Sequence, residues 1–549
     1  MNKIKKYIYG IIIAVISIII AIPLFNPNFN CYIGEGIQYI ARCFEIKSIS
    51  GLDGIVSNFA NGFGYNLSIF EGNFANVFII FCNLIIKNIN VSYKIVCLIG
   101  IFLSGVTMYI FMKKISENKN IALLASGIYM MLPYHLTNIY IRNALSEQIA
   151  LAILPLSFLG AYYLINSEKK HYYYPIAISL MFFTNYSFGW ITLFITIVYF
   201  AVNFNSLKVN GCIEKILLDL ALVVAFTACL WLPYIETNVA TKYKINNVSI
   251  EEKEEFANEA ISIRKLFVTG KNEKFVFEVG PLLIVMFAIT PMALVKIKKE
   301  YKKDYIFYLV FCLIFIFMAT KIFPWKYFSW LFIKLKYPWC LLGFATFFLT
   351  IICSINIGSI VEKFKLKDSL ILLAVSMIYV ICLHGYIQTD INLAKIEDIE
   401  IGRISGKQEE ISAGINNAEY LPLKAYENKF YIATRTQNMY ALSGKAVIEK
   451  ENKNNSTYSA KVQTLDEITK FELPFIYYPG YAVKADGMSL KSFETENGFL
   501  GFYLPAEESA TIEVEYVGTD IQKISKAFSI LSIIVYGLYL LKSTKNLEK

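Results

Sequence analysis

Tyr7-Ile-Tyr-Gly-Ile-Ile-Ile-Ala-Val-Ile-Ser-Ile-Ile-Ile-Ala-Ile-Pro-Leu-Phe25 carries no charge from end to end. At ~1.5 Å per residue it is long enough to cross a hydrocarbon core of ~30 Å. Lys3, Lys5 and Lys6 precede it, as they would in a signal peptide. No small-x-small cleavage site follows, however, and many more apolar runs come after, so the segment reads as a retained span. The whole chain repeats this texture, with 56% hydrophobic, 15% aromatic and only 17% charged residues. A soluble protein could not hide so much apolar surface, and the fold class is an α-helical polytopic membrane protein.

Reading apolar runs against lysine clusters gives about twelve transmembrane helices, near 7–25, 92–112, 120–137, 147–166, 172–186, 188–204, 214–234, 279–297, 305–322, 338–358, 369–386 and 523–541. With the N-terminus inside, Lys113-Lys114, Lys169-Lys170, the lysines of 296–303 and 363–367, and Lys542, Lys545 and Lys549 all fall on the cytoplasmic side. This is the positive-inside pattern of a multi-pass cell-membrane protein with both termini cytoplasmic. It uses up the net charge of +9, so nothing points to nucleic acid. Residues 74–86 are too short for an easy span. The stretch 72–88 is therefore expected as an interfacial helix, its Asn residues toward water and its Phe/Ile face in lipid, with a tilted or re-entrant span as the alternative.

The resulting organisation is a membrane domain over 1–386 with outer loops 26–91 and 235–278, a region 387–522 outside, and a final helix and cytoplasmic tail over 523–549. Loop 235–278 contains Ser249 to Arg264, a short surface helix that Ser249 caps and whose first turn is acidic. Beyond residue 387 short alternating stretches appear, such as 429–435, 470–480, 498–504 and 510–516, punctuated by Asp486-Gly487 and Asn497-Gly498. These describe an extracytoplasmic all-β domain resembling a sandwich. Ten cysteines lie mostly in apolar segments, and only Cys31 and Cys43 share an exposed loop, which leaves a disulfide between them open. Three histidines and no CxxC pair give no zinc pattern.

Against dozens of lysines the chain has five arginines, Arg42, Arg142, Arg264, Arg403 and Arg435, all on the outer side of this topology. Where lysine is the default cation, an arginine suggests a need for the planar fork that grips phosphate or carboxylate. Arg42, Arg142 and Arg264 either bind a lipid phosphate or pair with Glu35, Glu147 and the Glu251–Glu259 cluster. Glu147, at the mouth of the fourth span, anchors Arg142 or shapes a polar cavity. Glu35, ten residues beyond the first span, is the candidate general base. It could deprotonate an acceptor hydroxyl or help hold a divalent cation, Mg or Mn, on a phosphate. Asp53 and Glu71 are alternatives in the same loop.

Glu35-Gly-Ile-Gln38-Tyr-Ile-Ala-Arg42 resembles the Asp-Gly-x-x-His/Tyr-x-x-Arg element of a bacterial multispanning family labelled by a 6-pyruvoyl-tetrahydropterin-synthase-related domain. Asn61-Gly-Phe-Gly-Tyr65-Asn, Pro133 to Glu147, Tyr337-Pro-Trp339 and Tyr478-Pro-Gly-Tyr481 resemble further elements of that family in the same order. Such proteins look like GT-C superclass glycosyltransferases, which take a sugar from a polyprenyl phosphate on the outer face of the membrane. The resemblance implies Glu35 as the catalytic acidic residue and Gln38, Arg42, Tyr65, Arg142 and Glu147 as substrate-binding residues. The implied partners are a polyprenyl-phosphate-linked sugar, an envelope glycan or polymer acceptor and the lipid bilayer. The chain departs from the family in having Glu35 for Asp, Gln38 where His or another polar residue is common, Ser146 for Gly and Cys340 for the Arg after Pro-Trp. Glu for Asp keeps the charge and lengthens the arm. Two other function classes compete: a non-catalytic scaffold binding envelope polymer or a partner through 387–522, and a transporter or flippase, which needs polar residues along a path through the bilayer.

Overall fold

The computed structural model describes residues 2–26, 29, 31, 34–46, 54–267, 279–361, 363–387, 401–404, 413–415, 417–506 and 509–545. Asp53 lies outside them. The chain gathers into two compact units, one of Met1–Gly36, Ile85–Val223 and Ser249–Ala394, the other of Ile37–Leu84, Val224–Val248 and Lys395–Lys549.

The first unit is helical. Its two central helices, Leu145–Ile165 and Pro338–Ile360, are each 89% buried, whereas Tyr7–Phe25 is 33% buried and lies at the periphery. Among the described residues of the whole chain, five helices are long and apolar enough to cross a membrane: these three, Ile89–Ser116 and Asp520–Lys542. The number rises to six if Ile213–Phe226 and Ala228–Ala240 form one broken span. The other expected spans are helical too, but shorter, broken or charged at one end. The expected span 120–137 is divided into Lys119–Met131 and Pro133–Tyr140. Proline lacks the N–H that would continue the helix and drives the residue before it out of the helical region, and Leu132 is accordingly extended (φ −63°, ψ 143°). Helices Tyr173–Thr184 and Tyr186–Val202 meet at Asn185, likewise extended, whose side chain caps the second by accepting from the Phe188 N–H at 3.0 Å. Ser249 and Glu252 form the capping box of helix Ile250–Asn258, so the expected cap is present and the helix is shorter than the stretch read from sequence.

The second unit holds the β-rich region. After a small ribbon, β1 (Ile55–Val56) and β2 (Tyr65–Asn66), come β3 (Tyr440–Ser443), β4 (Ala446–Asn454), β5 (Thr457–Thr464), β6 (Ile468–Ile476), β7 (Tyr481–Ala485), β8 (Met488–Leu490), β9 (Ser492–Glu494), β10 (Phe499–Pro505) and β11 (Ala510–Tyr516). One sheet runs β3-β6-β10-β9 and the other β4-β5-β11-β7-β8. Every pairing in them is antiparallel. Phe471, Phe475 and Phe502 of the first sheet and Val462, Ile512 and Val514 of the second belong to one core, as in a sandwich.

Phe59, Phe63, Tyr65 and Phe70 from the first loop belong to the same core. The Ile476 N–H donates to the Phe63 carbonyl at 2.9 Å, the Ile404 N–H to Asn61 Oδ1 at 2.7 Å, and Lys453 Nζ to the Gly62 carbonyl. The stretch Asn61-Gly-Phe-Gly-Tyr65-Asn is thus built into the sandwich unit, a long-range contact that local pattern does not reveal.

Two local expectations change. The stretch 429–435, read as a strand, is a helix over Lys429–Thr434. One helical turn brings Tyr431 and Arg435 to a single carboxylate, whereas an extended chain would hold them ~13 Å apart. Tyr431 OH donates to Glu472 Oε1 at 2.6 Å and Arg435 Nε at 3.2 Å, while Thr495 Oγ1 and Asn497 Nδ2 donate to Oε2 at 2.7 and 3.1 Å. The second change concerns helix Phe74–Ile86. Asn76 is buried while Phe81, Leu84 and Ile85 are exposed, so Asn76 does not face water as expected. Its neighbours Ala75, Ile79 and Ile80 are buried with it, and the exposed face is the apolar one.

Arg435 and Glu472 have fully buried side chains, so removing one charge strands the other in low dielectric. Arg435→Met is expected to destabilise this unit by about 3–5 kcal/mol, read as a lowered thermal midpoint of the reconstituted protein; an unchanged midpoint would contradict the assignment.

Candidate functional site

Helix Pro133–Tyr140 presents Tyr134 and Asn138 on one face, and Arg142 continues the four-residue spacing just past its end. The helix stops at Ile141, and Asn143 adopts a left-handed conformation (φ 52°) before helix Leu145–Ile165 begins. Asparagine tolerates that region better than most residues. Tyr93 OH donates to the Asn143 carbonyl at 3.0 Å and holds the turn.

This turn brings three charges together. Arg142 Nη1 lies 2.7 Å from Glu147 Oε2 and Nη2 lies 2.9 Å from Glu147 Oε1, a two-point grip on a buried carboxylate. Nη2 also donates to Glu35 Oε1 at 2.8 Å, and Nη1 to Asn138 Oδ1 at 2.8 Å. Tyr134 OH lies 2.8 Å from Glu147 Oε2, and the Cys340 thiol donates to Glu147 Oε1 at 3.5 Å. Behind the guanidinium stand two parallel rings, Tyr337 and Trp339, with centroids 4.7 Å apart. The Arg142 guanidinium carbon lies 4.7 Å from the Trp339 centroid and 5.8 Å from that of Tyr337, a cation–π contact. Burial alone would lower the guanidinium's basicity, but the Glu147 and Glu35 carboxylates outweigh it and keep Arg142 charged. Burial and then Glu35 raise the Tyr337 hydroxyl above its ordinary value.

Glu35 is the accessible carboxylate of the group, 19% exposed against 6% for Glu147. Its backbone N–H donates to the Arg142 carbonyl at 2.6 Å, so loop and turn are joined by main chain and side chain alike. The flanking glycines make this approach feasible. A Cβ on Gly34 (φ 58°) would stand 2.2 Å from the Arg142 carbonyl oxygen, and one on Gly36 would stand 2.3 Å from that of Cys31. Lys336 Nζ approaches the same Glu35 oxygen, Oε1, at 3.9 Å, from a residue with positive φ (68°). Sequence reading did not single out Lys336, though it directly precedes the Tyr-Pro-Trp stretch. Tyr134 and Asn138 were not singled out either, although their four-residue spacing toward Arg142 is visible in the sequence.

Gln38, Arg42 and Tyr65 belong to the second unit and are buried there. Arg42 pairs with Glu71 through both Nη atoms, and its Nε donates to the Gly414 carbonyl at 2.8 Å. Gln38 Oε1 accepts from the Gly414 N–H at 2.6 Å, so both backbone groups of Gly414 are held. Tyr65 OH accepts from the Tyr420 N–H at 3.0 Å, and the Tyr420 hydroxyl donates to Glu71. These three side chains staple their unit together, and Glu71, the alternative base, is engaged in the same way. Arg264 is exposed in the turn Ile263–Leu266. Cys31 and Cys43 are both free thiols, and burial pushes Cys31 up to about 11.

No cluster of three His, Cys, Asp or Glu side chains suited to a metal occurs among the described residues. The two carboxylates that meet here are both bound to Arg142, a poor set for Mg or Mn, and no step below passes through a metal.

Residues 52–399 match the family of the bacterial membrane protein YfhO. The chain belongs to that family. The matched stretch contains Tyr65, Arg142, Glu147 and Tyr337 to Trp339, and it begins beyond Glu35, Gln38 and Arg42. A protein of Lactococcus lactis subsp. cremoris (strain MG1363), named only as an uncharacterized protein, is 23% identical to this YfhO-family chain over 347 residues. That alignment covers 59% of the chain and 56% of the relative's length, so the chain spans about half of the relative it matches. The family is one of bacterial membrane proteins; the pterin-synthase-related label and the GT-C likeness rest on the residue pattern alone.

Gly34→Ala is expected to cost about 1–2 kcal/mol from the left-handed backbone alone, and more from the clash with the Arg142 carbonyl. A lowered thermal midpoint in nanodiscs checks this, and a wild-type midpoint would mean that the loop does not close on Arg142 as described.

Proposed function

We propose that this protein is a membrane glycosyltransferase that moves a sugar from a polyprenyl-phosphate donor to a cell-envelope acceptor on the outer face of the membrane. The observation that carries the reading is Glu35: a partly exposed carboxylate, fixed by Arg142, beside a lysine and at the edge of a helical membrane unit.

In the proposed reaction the acceptor hydroxyl oxygen attacks the anomeric carbon and the carbon–oxygen bond to the lipid phosphate breaks. Glu35 takes the hydroxyl proton, and the polyprenyl phosphate leaves with the bonding electron pair. Arg142 is already committed to Glu147, Glu35 and Asn138, so its part is to orient Glu35. Lys336, with 43% of its side chain exposed, is the cation placed to meet the leaving phosphate. This assigns the phosphate contact to a lysine, where the sequence had pointed to Arg42 and Arg142.

A non-catalytic scaffold is the second reading. It is favoured by the engagement of the two buried arginines nominated as phosphate ligands: Arg42 by Glu71, and Arg142 by Glu35 and Glu147.

Glu35→Gln is expected to lower sugar transfer by about 10²- to 10⁴-fold, measured with purified protein, a polyprenyl-phosphate sugar and membrane acceptor in proteoliposomes, with the folded fraction checked by size-exclusion. Wild-type transfer in that variant would remove the role given to Glu35. Equal binding of polyprenyl phosphate by wild type and Lys336→Ala would favour the scaffold.

A further inference from the structure

Between helix Lys299–Met318 and helix Pro338–Ile360 the chain forms a short helix, Trp325–Phe332, of sequence Trp-Lys-Tyr-Phe-Ser-Trp-Leu-Phe. Its buried face consists of Trp325 and Ser329, one turn apart. Trp325 packs edge-on to Phe256 of helix Ile250–Asn258, with centroids 5.3 Å apart at 87°. The connection is pinned by main chain as well: the Ile261 N–H donates to the Ala319 carbonyl at 3.1 Å and the Lys321 N–H to the Ile261 carbonyl at 2.9 Å. The acidic helix Ile250–Asn258 therefore covers the inner side of Trp325–Phe332.

The opposite side is large, aromatic and uncovered. Tyr327 is 70% exposed, Trp330 64%, Leu331 57% and Phe328 42%. Leaving such side chains in water forfeits the gain of burying them, and a contiguous patch of this kind marks an interaction surface. Its border identifies the partner. Residues 321–336 contain Lys321, Lys326, Lys334 and Lys336 and no Asp or Glu. An aromatic face bordered by lysines fits the headgroup region of a phospholipid leaflet, where Trp and Tyr rings collect and lysines meet lipid phosphates. A helix of this length cannot span, and its lysines would not be stable deep among the acyl chains.

We propose that helix Trp325–Phe332 lies in the bilayer interface, with Tyr327, Phe328, Trp330 and Leu331 in the lipid and the neighbouring lysines on phospholipid phosphates. Lys336 follows after Leu335, which is buried, so this contact fixes the depth of the lysine that stands 3.9 Å from Glu35. The inference does not depend on sugar transfer, because its test needs only folded protein in lipid.

The full chain is reconstituted in nanodiscs of mixed phosphatidylcholine and phosphatidylglycerol, brominated either close to the headgroups or close to the chain ends. The Trp330 emission is taken as the difference between wild type and Trp330→Phe. It is expected to lose most of its intensity to the shallow bromines, less to the deep ones and little to aqueous iodide. Quenching by iodide without bromine sensitivity would place the face in water and overturn the proposal, and stronger quenching by the deep bromines would overturn it as well. Lys326→Gln/Lys334→Gln is expected to weaken the shallow quenching; unchanged quenching would refute the role of the lysines. Should Trp330→Phe fail to fold, Tyr327→Trp reports the same face by added emission with the same expected order of quenching.

Discussion

The site hangs on one buried guanidinium. Arg142 is 3% exposed, and a charge so placed is tolerable only if its hydrogen bonds are met and its charge is balanced. Glu147 meets the first need from the next helix with two parallel bonds. Glu35 adds a second carboxylate from a distant part of the chain, and its backbone N–H is tied to the same residue's carbonyl. The glycines on either side of Glu35 leave room for that approach, Asn143 turns the chain in a left-handed conformation just after Arg142, and Tyr337 and Trp339 stack beside its guanidinium. The two carboxylates differ in what remains for them to do: Glu147 is enclosed, and Glu35 keeps access to the surroundings.

Arg42 and Arg142 look alike in the sequence, each a rare arginine near a loop carboxylate, and their environments show why they differ. Arg42, Gln38, Glu71 and Tyr420 form a closed set around Gly414 inside the sandwich unit. Their bonds bind the first loop to the segment that precedes the strands. Arg435 and Glu472 do comparable work between a short helix and β6. A buried arginine paired in this way fixes geometry, and at Arg142 the fixed geometry includes a carboxylate that remains partly exposed.

Most of the helices were legible in the sequence because an apolar run long enough to cross a bilayer has few other folds open to it. The breaks were harder to see: Pro133 divides an apolar stretch that hydropathy alone runs together. Strands β6, β10 and β11 were legible from their alternation and the Asn497-Gly498 turn, but 429–435 alternates too briefly to separate strand from helix, and its helical form brings Tyr431 and Arg435 to Glu472. The joining of 37–84 to residues beyond 395 was not legible, because it depends on contacts hundreds of residues apart, such as Asn61 with Ile404. At the site, Glu35, Arg142 and Glu147 were named from charge in an apolar setting. Lys336 was missed because one lysine among many carries no signal until its neighbour is known.

The claim that everything else rests on is that Arg142 and Glu35 are energetically coupled in the folded protein. A double-mutant cycle on Arg142→Met and Glu35→Gln, read by reversible unfolding in nanodiscs or bicelles, measures that coupling directly. The account predicts that the double variant is less destabilised than the sum of the singles by about 1–3 kcal/mol. Additivity within about 0.5 kcal/mol would show that the two residues do not act as a pair and would contradict the site as described.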